Sequence, residues 1–152
     1  MAKSEIQSYR DLDAWKAAMD LTVMSYGVVR RLPQEERYAL SAQIRRASVS
    51  IPSNVAEGQS CGEDGRYLHH VRIALGSVGE LSTELEIVLR LGFASESELA
   101  TVRGQLTRTR QLLFGLLRSL RRKRLMKKAG APALIVIAVW SLAAIGEILA
   151  FF

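Results

Sequence analysis

Apolar residues recur every three to four positions in four successive stretches of the chain, which is the spacing of one face of an α-helix. No stretch alternates apolar and polar residues over the length of a strand, and short connections join the four stretches. The pattern therefore predicts an all-α protein built as an antiparallel up-down four-helix bundle. The apolar positions of the four predicted helices are, in order, Leu12, Trp15, Met19, Thr22, Val23, Tyr26 and Val29; Leu40, Ile44, Ala47, Ser48, Ile51 and Val55; Leu68, Val71, Leu75, Val78, Leu81, Leu85, Val88 and Leu89; and Leu99, Val102, Leu106, Thr109, Leu113, Leu116, Leu117 and Leu120.

Proline, glycine and acidic residues mark the ends of the predicted helices. Pro33 and the acidic pair that follows it are typical of a helix N-terminus, so the second helix is predicted to begin there. It is predicted to end at Gly58, before a polar, glycine-rich loop. Gly92 is predicted to cap the third helix, and Ser95 with Glu98 matches a capping box that opens the fourth.

The C-terminal segment differs from the four predicted helices because it has no polar face. Residues 131–152 contain a single charged side chain, and as a helix they would extend about 33 Å against a hydrocarbon core of about 30 Å. This predicts a transmembrane helix, with a buried fifth helix as the alternative. The predicted organisation is a four-helix bundle domain over 8–120, a basic juxtamembrane linker over 121–130 and a C-terminal hydrophobic helix over 131–152.

The net charge of +6 comes from one cluster and not from the whole chain. Residues 1–117 carry 14 Lys and Arg against 14 Asp and Glu, whereas residues 118–128 carry seven positive side chains. Three interpretations fit: a solvated helix end, a nucleic-acid patch and a juxtamembrane cluster on the cytoplasmic side. We favour the third because the cluster directly precedes the apolar segment. Its members are Arg118, Arg121, Arg122, Lys123, Arg124, Lys127 and Lys128.

Glu147 is the single acid of the apolar segment. A carboxylate at the centre of a span costs about 2.5–3.5 kcal/mol on insertion, which the surrounding Leu, Ile, Val and Phe side chains offset at about 0.3–0.6 kcal/mol each. As an intramembrane acid, Glu147 either reaches the distal headgroups or, in an oligomer, turns inward as part of a ring. The stretch 126–140 also resembles the start of a separate small membrane protein, so fusion of this tail to the bundle stays open.

Pro52 interrupts a stretch that is otherwise helical by pattern. Proline removes a backbone donor and costs about 3 kcal/mol or more inside a helix. The apolar register nevertheless continues from Ile51 to Val55. We therefore predict one helix that kinks at Pro52, with Ser48 and Ser50 able to satisfy part of the freed backbone.

Three motifs resemble those of a bacterial four-helix bundle family. They are "YRDLDAWKAAMDL", "LPQEERYALSAQIRRASVSIPSNVAEG" and "IALGSVGELSTELEIV". The family comprises the 23S rRNA intervening-sequence proteins and the related accessory proteins of diversity-generating retroelements, and the resemblance covers about residues 8–120. It implies a helical bundle that assembles into a homopentameric ring, and for the retroelement branch binding to a reverse transcriptase and nucleic acid. The hydrophobic tail departs from the family pattern.

The most polar part of the family motif consists of Arg45, Arg46, Asn54 and Glu57. The last three, together with Ser50, share one helical face at spacings of four, four and three. One interpretation is a site for phosphate or a partner carboxylate, which a guanidinium can bind with two hydrogen bonds. We favour a set of contacts between helices or subunits, with the carboxylates of the third predicted helix, Glu80 or Glu84, as partners.

Nothing in the sequence indicates catalysis, a metal or another cofactor. His69 and His70 are adjacent, so on a helix they diverge by about 100° and chelate one metal poorly. Cys61 is the only cysteine, which excludes an intrachain disulfide and suits a reducing compartment. No nucleophile–base motif, phosphate loop or small-molecule substrate site is present.

These observations predict a non-enzymatic, self-associating bundle, a pentamer if the resemblance holds, with no cofactor. Its C-terminal span would anchor it in a bacterial inner membrane with the bundle facing the cytoplasm, or leave it cytoplasmic if the tail does not span. Two alternatives remain: a module that binds nucleic acid or a reverse-transcriptase-like ribonucleoprotein partner, and a small oligomeric membrane pore or effector. The pore requires Glu147 to face a lumen.

Overall fold

The computed structural model describes the backbone of residues 7–149 and the side chains of residues 7–127 and 129. Within that range the chain is all-α and contains no strand, which confirms the predicted fold class. The same range contains four α-helices and two short 3-10 helices. The α-helices are α1 (Asp13–Val29), α2 (Leu40–Ser60), α3 (Asp64–Arg90) and α4 (Glu96–Leu149), and the 3-10 helices are Tyr9–Asp11 and Gln34–Arg37.

Side-chain hydrogen bonds connect each helix to the next and connect α4 back to α1. Between α2 and α3 the partners run in opposite directions, since Ser50 contacts Ser77 and Asn54 contacts His70, and the contact from α4 to α1 closes the bundle. The contacts, in helix order, are Thr22 to the carbonyl of Ser48 at 2.8 Å, Ser50 to Ser77 at 2.8 Å, Arg103 to Glu86 at 2.8 Å, and Gln105 to the carbonyl of Ala17 at 2.9 Å.

The predicted ends of the third and fourth helices are confirmed. Gly92 follows α3 with a φ of +71°, a conformation that favours glycine. At the start of α4, the Glu98 amide donates to Ser95 Oγ at 3.3 Å while the Ser95 amide donates to Glu98 Oε2 at 2.8 Å. These two reciprocal bonds are the predicted capping box.

The predicted bounds of the second helix are wrong at both ends. Pro33 precedes only the 3-10 helix Gln34–Arg37, and α2 begins at Leu40. At the other end α2 continues past Gly58 to Ser60 and is followed by Gly62, whose φ is +67°. The glycine with the left-handed conformation is therefore Gly62, and Gly58 has a packing role.

Gly58 lies where α2 packs closely against α3. A Cβ atom added there would lie 2.6 Å from Cδ2 of Tyr67 and 2.9 Å from Cβ of His70. Such distances are too short for real side chains, so only a residue without a side chain fits without displacement. Burial of the Tyr67 ring against this point raises the pKa of Tyr67 to about 12.

The core contains most of the predicted apolar positions of α2, α3 and α4, whereas in the predicted first helix only Leu12 and Val29 of the apolar row are buried. The buried face of α1 is made chiefly of small residues, which allow close helix approach. Met19, Val23 and Tyr26, which were predicted to face the core, are exposed. The buried residues of α1 are Ala14, Ala17, Ala18, Leu21, Ser25, Val28 and Val29.

Contacts along the backbone divide the chain into two units, Met1–Leu120 and Arg121–Phe152. Residues 121–130, predicted as a linker, are helical and belong to α4. In the part of the chain that the structure describes, no helix is long and apolar enough to cross a membrane. The predicted span over 131–152 thus receives no support from the structure, and the side chains of that segment, Glu147 included, lie outside the described residues.

Candidate polar site between α2 and α3

The backbone carbonyl that Pro52 leaves without its helical donor lies within hydrogen-bond distance of a side chain on a neighbouring helix. Pro52 has no N–H for the carbonyl four residues earlier, which belongs to the buried Ser48. Thr22 Oγ1 on α1 lies 2.8 Å from that carbonyl oxygen and 2.9 Å from the carbonyl of Ala18, and its proton can be donated to either. The side chain of Ser48 instead donates to the carbonyl of Arg45 at 3.0 Å. The predicted role of the serines is therefore filled by Thr22 at this carbonyl, and α2 stays one helix through Pro52.

A chain of hydrogen bonds joins α2 to α3 through Ser50, Asn54, His70 and Ser77, and these residues are called the seam below. Ser50 Oγ lies 2.8 Å from Ser77 Oγ, and Asn54 Nδ2 donates to the carbonyl and to the hydroxyl of Ser50 at 2.9 and 3.1 Å. Ser77 is buried, while the other two residues are half-buried. Because each polar group has a partner, this seam joins the two helices without the cost of an unpaired buried group.

His70 ends this chain on the α3 side. Its Nδ1 lies 3.1 Å from Oδ1 of Asn54 and 3.5 Å from Oε2 of Glu57. Since Oδ1 of Asn54 and Oε2 of Glu57 are both acceptors, Nδ1 is the ring nitrogen that donates here. Three members of the predicted face, Ser50, Asn54 and Glu57, are thereby brought together by His70 and Ser77.

Arg46 lies at the other end of the predicted face, beside the carboxylates of α3. Its guanidinium donates to Gln43 on the same helix. Burial raises the pKa of Glu84, the neighbouring Glu80 raises it further, and the positive charge of Arg46 lowers it. Glu84 Oε2 is buried and has no hydrogen-bond partner among the described residues. The charge of Arg46 acts on Glu84, one of the two acids considered as partners, although no ion pair within 4.0 Å forms between Arg46 and either acid in the described part of the chain.

Arg45 is not a member of this seam, and the basic cluster belongs to α4. Arg45 is half-buried at the register of α2 that borders α1. Among the residues with described side chains, the six basic residues between 118 and 127 are exposed on α4.

An open cleft lies between α3 and α4, apart from the seam. It has a volume of about 460 Å³ and is lined by charged, hydroxyl and leucine side chains. Arg103 is paired there with Glu86 at 2.8 Å and with Glu96 at 3.1 Å. The hydrogen bonds from Arg90 and Arg103 hold the pKa of Glu86 below its usual range. Thr83 and Thr107 donate to carbonyls of their own helices, so these hydroxyls are already engaged.

Four residues that carry this arrangement were not identified by sequence reasoning. Thr22 and Gly58 were assigned other roles, His70 was considered only as a metal ligand, and Ser77 was not singled out. A signal existed for His70 and Ser77, because they are seven residues apart on the side of α3 that borders α2. Among the described residues, no group of three or more His, Cys, Asp or Glu side chains could hold a metal ion.

These features define a four-helix bundle protein whose polar residues between helices serve mainly to connect them. The model of the 23S rRNA-intervening sequence protein family matches residues 10–115. The chain belongs to this family, which confirms the resemblance drawn from the three sequence motifs. No curated protein sequence matches the chain.

A solved structure shares the fold. It is a protein of unknown function from the S23 ribosomal protein family of Bacteroides thetaiotaomicron, with a TM-score of 0.64 and 20% sequence identity. The match covers 68% of this chain and 97% of that protein. At this identity the likeness establishes the bundle fold and nothing about activity.

Proposed function

We propose that this protein is a non-enzymatic scaffold whose bundle self-associates, with a homopentameric ring as the assembly that the family resemblance implies. The observation that carries this proposal is the apolar row on the outside of α1, where Met19, Val23 and Tyr26 are exposed at spacings of four and three. Exposed apolar rows of this kind are typical of surfaces that a partner covers. The seam between α2 and α3 adds rigidity to the bundle that presents this row.

The test of self-association is the molar mass of the purified chain in a mild non-ionic detergent, measured by light scattering after gel filtration. We expect a mass that is an integral multiple of one chain and that persists over a hundredfold dilution. A monomer throughout that range would contradict the scaffold proposal. Five copies per particle would support the pentamer, and any other integer would retain the scaffold but replace the pentamer.

Membrane anchoring by residues 131–152 is a second part of the proposal, and it rests on the sequence of that segment. It combines a single charge with the length of a span, and the exposed basic cluster precedes it. Membranes from cells that express the full chain, washed in alkaline carbonate, should retain it, whereas a chain ending at Leu125 should be washed off. Release of the full chain in a folded state would refute the anchor and leave the scaffold to be judged by its mass.

Nucleic-acid binding is the alternative function that one observation favours. Six basic side chains between 118 and 127 are exposed on the same helix. A nucleic-acid site would give RNA or DNA binding that weakens steeply as salt rises, with a slope set by the number of phosphates contacted. Absence of a mobility shift with the full chain near physiological salt would exclude this alternative.

A further inference from the structure

The bundle has an exposed apolar surface with one positive charge, formed by α1 and α2. It consists of Met19, Val23, Tyr26, Val49 and Arg45, and is called the Arg45 surface below. Val23 is 69% exposed, and Val49 on α2 is 42% exposed. Val49 directly follows Ser48, whose carbonyl lies beside Thr22 of α1. Val49 is therefore at the same height along the bundle axis as the exposed row of α1.

Arg45 has an unusual position on this surface. Its side chain is half-buried, yet it forms no ion pair within 4.0 Å in the described part of the chain. A partly desolvated guanidinium gains most from a carboxylate that arrives with an apolar surface around it. Tyrosine, methionine and arginine are also the residue types enriched where proteins contact each other. The surface therefore fits a partner that offers apolar side chains together with an acid.

A surface of that description exists on the same chain. Ile73, Glu80 and Ile87 are seven residues apart along α3 and share one exposed face, with Glu84 one turn from Glu80. This is called the Glu80 surface below. The positive charge of Arg46 acts on Glu84 and offsets part of the negative charge, but the surface holds two carboxylates, and Glu84 Oε2 has no hydrogen-bond partner among the described residues. The surface is thus apolar with a residual negative charge.

We infer that copies of this chain associate head to tail, with the Arg45 surface of one copy against the Glu80 surface of the next. The inference rests on the proposed self-association and assigns its interface. The charges are complementary, and each surface has exposed apolar residues beside its charge. The two surfaces differ, so the contact is heterologous and can repeat.

The placement of the surfaces favours a closed assembly. Both border α2, so they lie on neighbouring sides of the bundle and not on opposite sides. Successive copies joined in this way turn in one direction, and a constant turn closes a ring when the rotation divides a full circle. A contact whose rotation does not divide a full circle, or that adds a rise along the axis, would instead give an open helical filament.

A charge-exchange experiment on the full chain in mild detergent tests the inference by light scattering. Arg45→Glu and Glu80→Lys each place like charges across the contact, so each variant should dissociate at a concentration at least about tenfold higher than the unmodified chain. The chain that carries both substitutions restores opposite charges and should reassemble. The control is Arg108→Glu, an exposed arginine of α4 outside both surfaces, which should leave the assembly unchanged.

Folding must be checked because Arg45 is half-buried. Circular dichroism of each variant monitors the bundle, and Val23→Glu probes the same surface from a position that is 69% exposed and outside the core. Retained assembly in Val23→Glu and in either charge variant would overturn the inference while the scaffold stands. Dissociation of both single variants without recovery in the double variant would also overturn it. A monomeric unmodified chain would remove the scaffold proposal and this interface together.

Discussion

The absence of a side chain at Gly58 determines how closely α2 and α3 pack. The nearest neighbours of the missing Cβ are a tyrosine ring at 2.6 Å and the Cβ of His70 at 2.9 Å. The second of these is fixed to the α3 backbone, so relief requires movement of a helix. The same approach brings His70 within hydrogen-bond distance of Asn54. A glycine near the C-terminal end of α2 therefore supports the polar seam.

Gly58→Ala is expected to destabilise the protein by about 1–2 kcal/mol, because overpacking exceeds the gain in helix propensity. The matched control is Gly79→Ala on α3, where no atom lies within 4 Å of the added Cβ. That variant should be stabilised by up to about 1 kcal/mol. Urea unfolding of both variants measures the two signs, and a stabilised Gly58→Ala would contradict the packing role.

The effects of Thr22 and Pro52 on the free energy of unfolding are expected to be coupled, although the two residues lie on different helices. Replacing Thr22 with valine leaves the Ser48 carbonyl without a donor and should cost about 1–3 kcal/mol. In a Pro52→Ala background, the new N–H at position 52 can occupy that carbonyl, so the same replacement should cost less. A double-mutant cycle in urea should give a coupling of about 1–2 kcal/mol. Equal costs in both backgrounds would show that Thr22 does not replace the missing donor.

At the scale of helices, the periodic pattern predicted which segments fold but not always which face is buried. For α3 and α4 the large apolar residues are the core, so the spacing of leucines and valines identified the buried face correctly. On α1 the larger residues Met19, Val23 and Tyr26 lie outside, and alanines lie inside. Sequence hydrophobicity ranks a methionine above an alanine, whereas close helix packing selects the smaller residue. The prediction for α1 is wrong at these positions because hydrophobicity and close helix packing favour different residues.

The capping box at the start of α4 gives a pH-dependent contribution to stability. Hydrogen bonds from the Ser95 backbone and side chain, with Arg31 nearby, lower the pKa of Glu98 from its ordinary value of 4.5. An acid with a lowered pKa stabilises the fold above its unfolded pKa and loses that contribution as the pH falls through the folded value. Glu98→Gln should therefore unfold more easily than the unmodified chain at pH 7, and the difference should close below about pH 4.5.

Thermal unfolding from pH 7 to pH 3 measures this prediction. Glu35→Gln, an exposed carboxylate in the second 3-10 helix, is the control and should run parallel to the unmodified chain across the range. A difference between Glu98→Gln and the unmodified chain that stays constant with pH would show that the charge of Glu98 has no role. Ser95→Ala removes the hydroxyl partner and should cost about 1 kcal/mol.

At the scale of the whole molecule, the described core lies within the first 120 residues. All members of the hydrophobic core cluster among the described residues lie between Leu12 and Leu120. The family model likewise matches only residues 10–115. The fold and the family could be predicted from sequence because they depend on spacing and on local motifs. The seam could be predicted only in part, because pairing Asn54 with His70 depends on the relative rotation of α2 and α3.

A chain that ends at Leu125 is expected to fold with the midpoint of thermal unfolding within about 5 °C of the full chain, because it keeps every described core residue. Circular dichroism in the same detergent measures both proteins. A chain that ends at Leu112 is the contrasting variant, since it loses the buried Leu113, Leu117 and Leu120. It should be largely unfolded, and cooperative unfolding of that shorter chain near the full-length midpoint would contradict the assignment of the core.

The bond from Thr22 to the Ser48 carbonyl also constrains how this sequence can change over time. A lineage that loses Pro52 first regains the backbone donor, after which Thr22 is free to drift. A lineage that loses Thr22 first passes through a form with an unsatisfied buried carbonyl and reduced stability. The two routes reach the same pair of residues, but only the first avoids an intermediate of reduced stability. In this family the proline should therefore disappear before the threonine does.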